Sequence, residues 1–162
     1  MVEIIYIISY ILKNYPHKNE LSNARLTKMI YLIDWRSAFD YGEQVTNINW
    51  YFDNYGPFVH DIEEIIYKNP SVIKTIETTN IYGRKKVLFK LIDNSIDFDC
   101  IPENVLSTIN IIIEKTQNLY WNEFINFVYS TYPIITSERY TFLNLVQKAT
   151  EYRNELITET KI

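Results

Sequence analysis

Cysteine is almost missing from this chain. Cys100 stands alone, which excludes an internal disulfide and any zinc cluster built on thiolates and points to a reducing cytoplasm. Glycine and proline are scarce as well, at 3 and 5 of 162 residues. Long flexible linkers therefore have no material, and neither a P-loop nor a dinucleotide-binding glycine loop can be assembled. Histidine occurs only at positions 17 and 60, with neither beside a candidate nucleophile, so the usual nucleophile–base pair is absent locally. Cations are outnumbered 16 to 20, for a net charge of −4. A general nucleic-acid binder needs basic surface to displace counterions, and this balance leans against one. Bilayer-length apolar runs are lacking. The richest stretch, Ile4 to Leu12, is too short to span, follows Glu3 rather than a basic segment, and has no small-residue cleavage site. It reads as a buried first helix, and no membrane association is expected.

What the chain has in quantity is aromatic surface, with 14 Tyr, 8 Phe and 3 Trp. This exceeds what a core of this size needs, and Tyr and Trp are favoured where one protein meets another. The length suits one ordinary domain, residues 1–162, large enough to bury a core unaided. Hydrophobic residues at 47% and charged residues at 22% are the composition of a folded chain.

In chain order, Val2 to Asn14 has helical apolar spacing through Ile4, Ile8 and Ile11, and Pro16 stops it. A second helix starts at the N-cap candidates Ser22 and Asn23. Its apolar positions, Leu26, Met29, Ile30 and Ile33 with Leu32, Trp35 and Phe39 alongside, cover enough circumference to make it the central helix. Gly42 is placed to end it. Gln44 to Asp53 reads as an aromatic strand, then Asn54 to Pro57 turns, with Pro57 fitting the first position of a third helix. Val72 to Asn80 and Lys86 to Ile92 form a β-hairpin around Ile81 to Lys85. Pro102 opens a fourth helix, Glu103 to Gln117, and a short fifth runs from Trp121 to Ser130. Tyr132-Pro133 breaks the chain, and a last helix covers about 137–156, with Thr158 to Ile162 fraying. The fold class is α+β, mainly helical, with a small antiparallel β-sheet.

Each motif also has a plain structural explanation. The acidic stretch Asp93 to Asp99 is similar to a calcium loop, but Phe98 stands where the turn glycine belongs and Asn104 where the twelfth-position Glu belongs. It reads as a solvated loop, and no metal or cofactor is expected. Arg84-Lys85-Lys86 reads as a charged hairpin tip guarding strand edges, with a DNA-contacting wing as the alternative. In the aromatic strand, Trp50 and Phe52 point one way and Tyr51 the other. Most of this is core, while at least one aromatic near Tyr55-Gly56-Pro57 is a candidate exposed contact.

Leu26-Thr27-Lys28-Met29-Ile30-Tyr31-Leu32 resembles the start of the Panacea, or SocA-like antitoxin, family. A spacer, an aromatic strand and the Tyr55-Gly56-Pro57 corner follow in the family's order, and Trp121-Asn122-Glu123-Phe124 is similar to its later part. Together these cover Leu26 to Pro133. Where relatives often carry Thr-His before a Pro, this chain has Tyr129 near the His position, so no role is carried over there. The resemblance implies a non-enzymatic antitoxin that binds a cognate protein toxin directly, including toxins that block translation. Its motif positions here are Lys28, Tyr31 and Tyr55, with Gly56 and Pro57 shaping the corner. Adding the aromatic strand gives Lys28, Tyr31, Trp50, Tyr51 and Tyr55 as candidate partner contacts. An acidic protein suits a basic toxin face, because complementary charge speeds encounter. Three alternatives stay open: a DNA-binding regulator, a phage-borne protein acting on a host factor, and a hydrolase whose site forms around His60 only in space.

Overall fold

A computed structural model describes residues 2–160 of the chain. Helix α1 (Ile4–Asn14) leads through a 3-10 turn (Lys18–Glu20) into α2 (Asn23–Tyr41). Strands β1 (Tyr51–Asp53) and β2 (Gly56–Phe58) precede α3 (Asp61–Lys68), and β3 (Ile73–Thr79) and β4 (Lys85–Leu91) precede α4 (Glu103–Thr116). Then come α5 (Trp121–Tyr129), α6 (Tyr132–Ile135) and α7 (Leu145–Thr160). The strands form two separate two-stranded antiparallel sheets, β1–β2 and β3–β4. The mainly helical α+β class is as the sequence indicates. Among the described residues, no helix is long and apolar enough to cross a membrane.

The central position of α2 follows from its caps and its composition. The Ser22 hydroxyl accepts from the Arg25 amide at 3.2 Å, supplying one of the first-turn acceptors the helix lacks. Gly42 takes the left-handed conformation, φ +77°, and closes the far end. Between them Leu26, Met29, Ile30, Tyr31 and Ile33 have no exposed surface. The polar residues Arg25, Thr27, Lys28 and Asp34 are buried as well. Helices α3, α4 and α7 and both hairpins pack around it. Each large apolar side chain buried here contributes about 2–3 kcal/mol of transfer free energy. The β-branched isoleucines of α1 form a helix against their propensity because Ile7, Ile8 and Ile11 are fully buried.

Five sequence expectations are corrected. Gln44 to Trp50 is not a strand; the backbone polar groups of Thr46 and Ile48 find side chains instead of a ladder. The Thr46 amide donates to the Asp34 carboxylate at 2.9 Å, the Ile48 amide to the Thr46 hydroxyl at 3.2 Å, and Gln44 Nε2 to the Ile48 carbonyl at 3.0 Å. Pro57 does not open α3. It lies in β2 opposite Phe52, and α3 starts at Asp61 after His60. Pro102 and Pro133 likewise shift by a position or a role: Pro102 is the N-cap of α4, and Tyr132-Pro133 begins the short α6 instead of ending structure. The last helix starts at Leu145, not near 137. The chain just before it lies alongside β1, with Phe52 N donating to Thr141 O at 2.9 Å and Leu143 N to Trp50 O at 2.8 Å. The β3–β4 hairpin forms where expected with its turn one residue earlier, Asn80 to Arg84, because Asn80 Oδ1 accepts the Tyr82 and Arg84 amides.

The aromatic corner as candidate functional site

The corner is the β1–β2 hairpin seated on α2. Its strands pair Tyr51 with Phe58, Phe52 with Pro57 and Asp53 with Gly56, leaving Asn54-Tyr55 as the turn. Asn54 and Tyr55 keep negative φ while Gly56 sits at +96°. Gly56 thus enters β2 through a left-handed conformation that glycine adopts without steric cost. A Cβ on Gly56 would meet Lys28 Cε and Tyr129 at an ordinary 3.6 Å. The backbone conformation therefore demands glycine here, and steric room does not.

Beneath the hairpin lies a polar and aromatic support. Trp50 has no exposed surface, and its indole N–H donates to Asp34 at 2.8 Å. Asp34 also accepts from the Thr46 hydroxyl and amide. Burial pushes this carboxyl above its ordinary range, and the donors pull it back in part. Tyr31 packs edge-on to Trp50 with ring centroids 5.6 Å apart. The Thr131 hydroxyl gives its proton to the Val128 carbonyl at 2.7 Å, so the Tyr31 phenol donates to Thr131 at 2.8 Å. Lys28 rises from α2 past Gly56 to lie 5.7 Å from the Phe58 ring centre. Burial lowers its pKa to about 8, against a smaller opposing pull from Asp53. Arg25, one turn earlier, donates to the Thr116 and Leu119 carbonyls at 2.9 and 2.8 Å and covers the Phe124 ring at 4.4 Å. It thereby ties α2 to the end of α4 and to α5.

The surface of the corner is aromatic. Tyr55 at the turn is 82% exposed, Phe142 66% and Tyr140 59%. Tyr140 donates its hydroxyl to Asn54 Oδ1, and Arg139 Nε reaches the Asn54 carbonyl at 3.3 Å. Phe142 stands edge-on to the half-buried Tyr51 at 5.1 Å. Arg139 also covers the Phe52 ring at 5.4 Å, which walls the patch on one side. Tyr140 adopts φ +67°, a conformation costly for a tyrosine, and it does so where its amide bonds the Phe52 carbonyl at 2.6 Å.

The structure thus divides the sequence-selected residues. Tyr55 is at the surface and Tyr51 half-buried; Lys28, Tyr31 and Trp50 are buried beneath them. Gly56 and Pro57 are both buried in β2. Sequence reasoning missed Asp34, Arg139, Tyr140 and Phe142. A strand-like Tyr140-Thr141-Phe142-Leu143 run was the available signal, hidden by the helical spacing of its neighbours. Asp34, a carboxylate inside an apolar helix, was the other. His60 is exposed, its ring edge-on to Phe58 at 5.3 Å. It faces an aromatic ring there, where the hydrolase alternative required a carboxylate and a hydroxyl. In the basic hairpin tip, Lys85 pairs with Glu77 at 2.8 Å and Lys86 donates to the Asn19 carbonyl at 2.8 Å. Among the described residues, no group of His, Cys, Asp and Glu is arranged to hold a metal ion.

The corner and its support define a helical α+β scaffold with an aromatic hairpin locked onto its central helix. Residues 26–133 match the family described as antitoxin SocA-like, Panacea domain, and the chain belongs to that family. No curated protein and no solved structure matches the chain. The family match stops at Pro133, so Arg139, Tyr140, Phe142 and α7, which complete the corner and cover α2, lie beyond it.

Proposed function

We propose that this protein is a non-enzymatic antitoxin that neutralises a cognate protein toxin by direct contact through the aromatic corner. The observation that carries this reading is the clustering of Tyr55, on the hairpin turn, with Tyr140 and Phe142, on the segment hydrogen-bonded beside it, all three exposed. Rigid aromatics offer large contact area at small entropic cost, and such residues dominate binding energy at interfaces. Family membership supports the same reading, and a net charge of −4 suits a basic toxin face. In this reading Tyr55 touches the toxin with Tyr51 at the patch base. Trp50, Tyr31 and Lys28 hold the hairpin from below, and Gly56 and Pro57 fix its corner. The lone Cys100 suits action in a reducing cytoplasm.

The test is co-expression with the product of the neighbouring gene, scored by growth and co-purification. The neighbour should be toxic alone, and this chain should rescue growth and co-purify with it. Replacing Tyr55 and Phe142 together by Ala should weaken the complex by about tenfold or more with circular dichroism unchanged. A harmless neighbour, rescue without a complex, or undiminished binding by the double variant would overturn the proposal.

A further inference from the structure

One groove away from the corner combines apolar walls with cations that have no carboxylate partner. It lies between the C-terminal end of α1 and the β3–β4 hairpin, with a volume of about 510 Å³. Its floor is set by strand register. The ladder pairs Lys74 with Lys90, Ile76 with Leu88 and Thr78 with Lys86. Alternation places these six side chains on one face, opposite the buried Ile73 and Phe89. Ile76 and Leu88 line the groove with Leu12 and Ile96, and Lys13, Lys18 and Lys90 line it too.

The charge here is unbalanced in a chain whose net charge is −4. Among the described residues, the salt bridges are Arg36–Asp40, Lys85–Glu77 and Lys148–Glu151, so Lys13, Lys18, Lys74 and Lys90 have none. Lys18 bonds only the Lys13 carbonyl, at 3.2 Å, and keeps its charge at the rim. Asp93 is the one carboxylate lining the groove. It is turned onto Ser95, accepting from its amide at 2.9 Å and its hydroxyl at 2.6 Å. Lys74 and Lys90 stand directly across the ladder from each other, an arrangement that costs stability when no counter-charge is present.

We propose that this groove binds an acidic, amphipathic polypeptide segment, whose carboxylates meet the lysine rim while its apolar side chains enter between Ile76, Leu88 and Leu12. A nucleic acid would find the cations but would leave the aliphatic floor unused, and single strands favour exposed aromatic platforms. Phe89, the aromatic residue lining this groove, is buried. No lining residue belongs to the aromatic corner, so this site stands apart from the antitoxin reading.

The probe is a fluorescently labelled peptide of alternating aspartate and leucine, titrated by anisotropy at physiological salt. Polyglutamate and a single-stranded oligonucleotide of equal charge serve as competitors. The amphipathic peptide should bind saturably, with both competitors at least about tenfold weaker. The Lys13→Glu, Lys90→Glu double variant should lose at least about tenfold in affinity. Both positions are exposed, so the fold should survive, as circular dichroism will check. Amide shifts on peptide addition should cluster in β3, β4 and the end of α1, and Tyr55→Ala should leave peptide affinity unchanged. Absent saturation, equal or tighter binding of polyglutamate or oligonucleotide, or full affinity in the charge-reversed variant would overturn the proposal.

Discussion

The two hairpins of this protein hold their shape by different means. The β3–β4 hairpin has seven residues in each strand, a side-chain-closed turn, and a first strand rich in β-branched isoleucine and threonine. Its register is written locally. The β1–β2 hairpin has three residues in each strand, too few to stand alone in water. It exists because Trp50 is anchored to Asp34 on α2 and because residues 140–143 add hydrogen bonds along its outer edge. The longer hairpin is a local structure that the fold carries; the shorter is a tertiary structure that the fold makes. Each hairpin exposes a tyrosine at its turn, Tyr82 on the longer and Tyr55 on the shorter, but only Tyr55 stands beside further exposed aromatics, Tyr140 and Phe142, brought in by a distant segment.

That contrast can be broken at its buried anchor, and here the largest effect is expected. Asp34→Asn would set an amide N–H against the Trp50 indole or the Thr46 amide, both donors. A lost acceptor in a buried network should cost about 3 kcal/mol, read as a lower denaturant midpoint. Disordered signals should appear at Tyr51–Phe58 before those of β3–β4. Simultaneous loss of both hairpins would contradict the contrast.

Lys28→Met tests the same support from the opposite direction. Burial holds the Lys28 pKa at about 8, below its ordinary 10.5, so the folded chain releases this proton before the unfolded chain does. The penalty of burying the ammonium is fully present below about 8 and is relieved as pH climbs from 8 to 10.5. The variant should therefore be more stable than wild type by about 2 kcal/mol at neutral pH. That margin should shrink across the same alkaline window, measured by urea melts at a series of pH values. A constant margin would mean that Lys28 is not held in a depressed state.

Gly56→Ala should cost about 1–2 kcal/mol through its positive φ and should also weaken toxin binding, because the turn carries Tyr55. Gly83, at φ +74° in the other hairpin with nothing within 4 Å of an added Cβ, gives the matched control. Gly83→Ala should lower stability without touching toxin binding. The smallest effect is expected at Lys85→Ala, which removes an exposed ion pair with Glu77. Its denaturant midpoint should not move measurably, since exposed pairs are screened and entropically offset.

Much of the fold was legible from residues. Ser22 and Gly42 bracket α2, the Ile81–Lys85 stretch with Gly83 marks the second turn, and isoleucine spacing gives α1 and α4. The site was legible only in part. Tyr55 and the Gly56-Pro57 corner stand out in sequence, but their surface partners Tyr140 and Phe142 come from more than eighty residues later in the chain. The helical spacing through Leu143, Val146 and Ala149 extends backward into a non-helical segment that flanks β1, so periodicity alone placed the last helix too early. Gln44 to Trp50 has strand-like composition and lacks only a neighbour to pair with, which no local pattern reports.

The sequence by itself determined the elements whose signals are short in range: helix caps, the existence of the β3–β4 hairpin, and the requirement for glycine at position 56. Each depends on backbone conformation or on side chains a few residues apart. Tertiary structure alone decided which aromatics are anchors and which are surface. It also decided that Asp34, Lys28 and Arg25 are buried and that residues 140–143 complete the first hairpin. The reason is that burial and pairing belong to groups distant in sequence, and a tyrosine carries the same hydrophobic area and the same hydroxyl whether the fold covers it, as at Tyr31, or leaves it in water, as at Tyr55.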